Sequence, residues 1–369
     1  MQTRTLSDGR VSLQVSELCL GTMYFGYRTP EDTAFAILDR FRDAGGNFLD
    51  TANCYGQWHG EAGMSERVIG RWMKSRGVTG QLVVATKVGA RTTVPGNPDA
   101  RHWQGLGSPA IRADADLSRR NLGVDRLDLY YAHIDDRDTR LEETVDAFAG
   151  LAERGTVGLL GASNTATWRI ERARGLAQRR PAYSCVQQRH TYLPAMQGPG
   201  EFDVITEELK DLAAAESLTL FAYSPLLGGA YGDPGKPLPA AYDHPTARAR
   251  LAALHEVAAE LDASANQVVL AWLLRSDPPV IPVPGASSVA QLDEILAATE
   301  LKLDDAQLAR LAGAGALGSS PSGSGRPGSR NGLPRSPASS GSKIHQSSSP
   351  IPPPASAPST VSVSQCAAR

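Results

Sequence analysis

The sequence predicts a (β/α)8 TIM barrel, and three observations carry that prediction. Eight apolar runs of strand length alternate with helix-like stretches; the alternation fills about 300 residues; and polar residues recur at the C-terminal ends of the runs. A doubly wound sheet is the alternative arrangement of the same elements.

Taken in order, the chain opens with a short hairpin, in which Asp8-Gly9 supplies the turn between Arg4-Thr5-Leu6 and Val11-Ser12-Leu13. The apolar runs follow at 18–21, 47–51, 82–88, 127–133, 157–163, 185–188, 218–224 and 280–283. Helix-like stretches lie between and after them, at 31–44, 65–76, 109–121, 141–154, 167–179, 204–216, 246–274 and 289–312. Starts such as Ser108-Pro109, with proline in the first turn, and stops such as Leu122-Gly123 and Arg154-Gly155 set the boundaries. From Gly315 the composition turns to Ser, Pro and Gly with sparse basic residues and no acidic residue. Such a segment buries too little apolar surface to offset its ordering entropy, so the expected organisation is a barrel over 1–314 and a disordered tail over 315–369.

Composition narrows the function classes. A chain of 369 residues that is 41% hydrophobic with a net charge of -2 is an ordinary globular sequence, and nothing in it points to a polyanion such as nucleic acid. The N-terminus has no apolar signal-peptide core, and no apolar stretch approaches the roughly 20 residues that span a bilayer. The cytoplasm is therefore the expected location. Cys19, Cys54, Cys185 and Cys366 are scattered without a C-x-x-C pair, so free thiols are expected rather than a disulfide framework or a zinc site. The seven histidines lack metal-ligand spacing, and no G-x-S-x-G elbow is present.

The rim of the expected barrel is where the chemistry concentrates. Asp50, Lys87, His133, Ser163 with Asn164, Gln187, Tyr223 with Ser224, and Pro284 with Gly285 fall at or just after the ends of successive strands, and Tyr55 lies just beyond one. Parallel strands bring those ends to one face, where barrel active sites are built.

Those stretches carry a resemblance. Leu20-Gly21-Thr22-Met23-Tyr24-Phe25-Gly26, Phe48-Leu49-Asp50-Thr51-Ala52-Asn53-Cys54-Tyr55-Gly56, Ala85-Thr86-Lys87, Gly161-Ala162-Ser163-Asn164, Tyr223-Ser224-Pro225-Leu226 and Pro284-Gly285-Ala286-Ser287 make the chain similar to the aldo-keto reductase superfamily over residues 5–312. The resemblance implies reduction of an aldehyde or ketone by hydride from a nicotinamide cofactor. The chemistry asks for a proton donor at the carbonyl oxygen, where negative charge builds. Tyr55 is the expected donor, Lys87 the ammonium that favours its phenolate, and Asp50 the carboxylate that keeps Lys87 charged and oriented. His133 is expected to orient or polarise the substrate oxygen. Each has a purely structural alternative: an ion pair for Asp50 and Lys87, a packed loop aromatic for Tyr55, a satisfied core histidine for His133.

The only near match to a Rossmann fingerprint, Gly105-Leu106-Gly107-Ser108-Pro109-Ala110, follows a polar loop rather than a strand and reads as loop and helix start. The resemblance implies instead a dinucleotide extended across the barrel mouth. By that likeness Ser163, Asn164 and Gln187 bond the carboxamide, Tyr223, Ser224, Pro225, Leu226 and Gly228 contact the pyrophosphate, and Gly285, Ala286, Ser287, Gln291 and Glu294 hold the adenosine. Gly21, Thr22, Met23 and Asp50 complete the expected cofactor contacts. The residue stacking under the nicotinamide is expected at His190, where relatives have an aromatic. The segment 284–288 lacks the Arg or Lys that pairs an adenosine 2'-phosphate in many relatives, and Ile295 follows Glu294 where they often have Asn. NADPH is the expected cofactor, with NADH the alternative.

Tyr24, Trp58 and His133 are the expected substrate walls, with Trp103 and Tyr192 placed either inward or in the core, and loops at 89–107 and 190–203 above them. The Gly- and Pro-rich loop 227–245 is a candidate lid. Two other functions fit the same residues: a barrel lyase in which Lys87 forms a Schiff base, and a non-catalytic dinucleotide-sensing subunit whose tail binds a partner. One sequence shows no interface, so the oligomeric state stays open.

Overall fold

The computed structural model describes residues 1–315 apart from 98, 197, 199–202 and 234. The Ser/Pro/Gly-rich segment from 316 onward, assigned above to a disordered tail, lies outside the described residues.

The described residues form ten strands. β1 (Thr3–Ser7) and β2 (Ser12–Ser16) form the antiparallel hairpin, with Leu6 opposite Leu13. Its turn forms because Asp8 Oδ1 accepts the backbone N–H groups of Arg10 (2.9 Å) and Val11 (2.8 Å), while Gly9 takes φ +81°. The other eight are β3 (Leu20–Gly21), β4 (Phe48–Asp50), β5 (Val83–Val88), β6 (Leu127–Ala132), β7 (Val157–Ser163), β8 (Tyr183–Arg189), β9 (Thr219–Tyr223) and β10 (Val280–Val283). They pair in parallel, each with its neighbours in sequence. The first and last meet: Cys19 N–H bonds Pro282 O at 3.1 Å and Gly21 N–H bonds Pro284 O at 2.9 Å. The sheet is therefore a (β/α)8 barrel and not a doubly wound sheet, whose strand order reverses at a switch point.

The helices are α1 (Glu31–Asp43), α2 (Met64–Arg76), α3 (Ser108–Leu122), α4 (Leu141–Glu153), α5 (Thr167–Ala177), α6 (Glu207–Glu216), α7 (Pro245–Glu260), α8 (Ala265–Leu274), α9 (Val289–Ala297) and α10 (Asp305–Gly313). Two expected helices are each divided. The stretch 246–274 breaks into α7 and α8, because Asp262 turns to φ +49° and Ser264 opens a capping box with Gln267. The stretch 289–312 breaks into α9 and α10, where Asp304 and Gln307 make the same device.

Two buried layers result. Outside the strands, apolar faces such as Ile37, Leu38 and Phe41 of α1 and Val68, Ile69 and Trp72 of α2 pack onto the barrel wall. Inside it, Leu6 and Val15 of the hairpin join Phe48, Leu129, Leu159 and Phe221 in a second core, so the hairpin plugs the barrel at its N-terminal end. Tyr131 crosses the interior against Gly161, where a Cβ would stand 2.4 Å from the ring; only glycine leaves that space. No described helix is long and apolar enough to cross a membrane.

Candidate active site

Asp50 is the last residue of β4, and the turn after it is anchored to β5. Thr51 N–H bonds Ala85 O (2.9 Å) and Asn53 N–H bonds Lys87 O (3.2 Å). Side chains secure the same turn: Asn53 donates to Asp114 (2.5 Å) and Gln57 donates to Ala90 O (3.0 Å). Gly56 turns the chain at φ +103°, where a Cβ would stand 2.5 Å from Glu61 O. This turn carries Tyr55 back over the barrel mouth.

There it meets Lys87, which is wholly buried in β5. An ammonium has three hydrogens to place, and each has an acceptor here: Asp50 Oδ2 at 2.5 Å, Thr51 O at 2.9 Å and the Tyr55 hydroxyl oxygen at 3.1 Å. The second oxygen of Asp50 accepts from Gln187 Nε2 at 2.8 Å. A charge this deep is tolerable only when paired and fully hydrogen-bonded, and this one is both. His133 follows β6, its ring edge-on to Tyr55 at 6.1 Å between centroids. Burial holds its imidazole well below the usual histidine range, and the Lys87 charge pushes the same way, so the ring is neutral. The four residues named from the strand ends converge.

A cavity of about 360 Å³ opens above them, a size suited to ligands. Tyr24, Trp58, Trp103 and His133 wall the space over Tyr55. Gly21, Thr22 and Met23 line it on one side, with Ser163, Asn164 and Gln187 across from them. It continues past Tyr223, Ser224, Pro225, Leu226 and Gly228 to Gly285, Ala286, Ser287, Gln291 and Glu294.

One expected cofactor contact, His190, does not line it. His190 packs its ring 5.9 Å from Trp272 of α8, and burial pushes it down to about 4. The cause is strand alternation: β8 runs on through Arg189, so Gln187 and Arg189 face the cavity, while Gln188 turns outward to Thr165 O (2.8 Å) and His190 follows that side. The aromatic ring in the wall is instead Tyr223, whose hydroxyl donates to Asn164 Oδ1 at 2.8 Å and lies 3.2 Å from Asp203 Oδ2. Tyr192 is a core residue, donating to Leu311 O at 2.8 Å, whereas Trp103 is in the wall. Gly107, in extended conformation, is the residue that precedes α3.

Further residues line the cavity beyond the expected contacts. Cys54 and Gln57 flank Tyr55; Arg189, paired with Asp203 at 2.9 Å, continues the strand-end pattern by one register step and was accessible to that rule. Asn266 was not, because it enters from the first turn of α8, far from any strand end. Its Nδ2 and the Ser264 hydroxyl both donate to Glu294 Oε1, at 3.1 and 2.6 Å, and its own buried Oδ1 has no partner among the described residues. This end of the cavity presents acceptors to a ligand's N–H and O–H groups, which fits a nucleoside.

A barrel whose mouth carries an acid–base cluster beside a long cleft has the layout of an enzyme. The family model described as "Aldo/keto reductase family" matches residues 17–316. The chain is 36% identical over 308 residues to the protein named "Uncharacterized oxidoreductase YrpG" of Bacillus subtilis, covering 80% of this chain and 91% of that one. It is 31% identical over 313 residues to a norsolorinic acid reductase of Emericella nidulans, covering 80% and 77%. It is 29% identical over 309 residues to an aryl-alcohol dehydrogenase of Pestalotiopsis microspora, covering 79% and 77%. The chain belongs to the aldo/keto reductase family and is an oxidoreductase.

Proposed function

We propose that this protein reduces an aldehyde or ketone to the alcohol, with NADPH or NADH as the reductant and Tyr55 as the proton donor. The observation that carries the reading is the contact of the Lys87 ammonium with the Tyr55 hydroxyl at 3.1 Å, inside a wall that also presents a neutral imidazole. A nicotinamide held along the cavity would supply the hydride. Tyr55 passes its proton to the carbonyl oxygen, and the phenolate left behind faces an ammonium that Asp50 and Thr51 O hold in place. Neutral His133 offers the substrate oxygen a hydrogen bond without adding a competing charge. The ring of Tyr223 takes over the stacking role expected of His190, its plane fixed by the bond to Asn164.

The walls over Tyr55 are aromatic, which favours apolar and aromatic carbonyl compounds. Relatives named for norsolorinic acid and for aryl alcohols agree with that preference. At the far end, among the described residues, the lining around Gly285 and Glu294 contains no lysine or arginine. A 2'-phosphate held there would face the Glu294 carboxylate, so titration by cofactor fluorescence is expected to show NADH binding at least as tightly as NADPH.

Schiff-base chemistry needs an accessible neutral amine, and Lys87 is buried with all three hydrogens engaged. The reductase reading is tested by following nicotinamide absorbance with a panel of aldehydes and ketones. Wild type should oxidise either cofactor, and Tyr55→Phe should lose at least about a hundredfold in kcat, the lower range for removing a general acid. A fully active Tyr55→Phe variant would remove Tyr55 from this role.

A further inference from the structure

Cys54 stands in the cavity wall between Asn53, which anchors the catalytic turn, and Tyr55. Its Sγ lies 3.6 Å from Nδ1 of His133, and both groups are buried. Among the described residues Nδ1 meets no other polar partner, and Nε2, on the opposite side of the ring, meets none. A neutral imidazole carries one proton on one of these two nitrogens, and the group facing Nδ1 decides which. Burial pushes the Cys54 thiol up to about 12, so it stays protonated. A neutral thiol is a poor acceptor but can donate, whereas the bare nitrogen of a neutral imidazole is a good acceptor. The favourable arrangement across 3.6 Å is therefore S–H to Nδ1.

We propose that Cys54 is a positioning residue: its thiol donates to Nδ1 of His133 and so fixes the tautomer that presents Nε2–H to the cavity. The turn that delivers Tyr55 thus also sets the proton on His133, so one six-residue segment, Asp50 to Tyr55, prepares both groups that meet the substrate oxygen. With Nδ1 protonated instead, Nε2 would confront a carbonyl oxygen with a lone pair and repel it. The benefit to carbonyl reduction rests on the function proposed above; the tautomer does not.

The test uses the full chain labelled with 15N-histidine, with His133→Gln to assign the signal and two-bond nitrogen–proton couplings to read the tautomer. In wild type and in Cys54→Ser, whose hydroxyl restores a donor, His133 should hold a single Nε2–H form. In Cys54→Ala it should become a mixture, and kcat should fall about tenfold with KM nearly constant, the scale of one lost hydrogen bond. An Nδ1–H form in wild type, or an unchanged single Nε2–H form in Cys54→Ala, overturns the proposal. If wild type shows the expected tautomers but reduces no carbonyl compound, the reductase reading fails while the Cys54–His133 pair stands.

Discussion

Asp50 illustrates how much a single buried side chain carries: one oxygen bonds the Lys87 ammonium at 2.5 Å and the other takes a hydrogen bond from Gln187 at 2.8 Å. Replacing it with alanine strands an ammonium with no counter-charge. Asp50→Ala is expected to lose about 3–5 kcal/mol of stability, the usual cost of removing one partner of a buried pair. Denaturant unfolding measures it, and a loss near zero would mean that water enters to solvate Lys87. His190 makes a different prediction. Its folded value, about 4, lies below the ordinary 6.5, so the unfolded chain binds the proton more readily. Stability is then fully present above pH 6.5 and is lost as pH falls towards 4. His190→Gln should flatten that part of the stability–pH curve, whereas an unchanged slope would assign it to other groups. These two residues also mark what the sequence disclosed. Asp50 was legible because a carboxylate ending an apolar run has few structural reasons to be there. His190 was misplaced because β8 reads as ending at Gln188, and the extra residue decides which side of the wall the next side chain takes.

At the scale of elements, the junction between α7 and α8 both stops one helix and builds the cavity's far end. Ser264 accepts from Gln267 N–H at 3.2 Å and donates its hydroxyl to Glu294 at 2.6 Å, linking the start of α8 to α9. Ser264→Ala removes a cap contributing about 1 kcal/mol and releases the Glu294 carboxylate. A lower thermal midpoint is expected together with weaker dinucleotide binding. A drop in stability alone would show that Asn266 holds Glu294 unaided. The Ser-x-x-Gln and Asp-x-x-Gln signals of both split helices stand in the sequence at 264–267 and 304–307. Neither junction contains glycine or proline, and the surrounding residues favour helix throughout, so each pair of helices reads as one continuous stretch. Strand identity survived better, since eight apolar runs in series need only be counted, while a local helix break depends on one residue such as Asp262 adopting positive φ.

The whole barrel separates stability from chemistry along its axis. Leu6 lies at the hairpin end, fully buried against inward residues including Phe48, Leu129 and Phe221, whereas Tyr55, Lys87 and His133 lie where the same strands finish. A cavity cut into the plug reaches every strand that contributes to the inner core, so its cost falls on global unfolding. Leu6→Ala should lower stability by about 2–5 kcal/mol, as expected for truncating a buried leucine. The geometry at the mouth is held locally, by the Thr51 and Asn53 bonds to β5 and by the acceptors around Lys87. Folded Leu6→Ala should therefore keep kcat/KM within about twofold of wild type, since distant sites act independently. Denaturant unfolding and steady-state rates on the same preparation decide the matter. If activity drops further than the folded fraction accounts for, the inner core transmits strain along the strands to Lys87, and the barrel must be treated as a single mechanical unit rather than a stable base with a site at its rim.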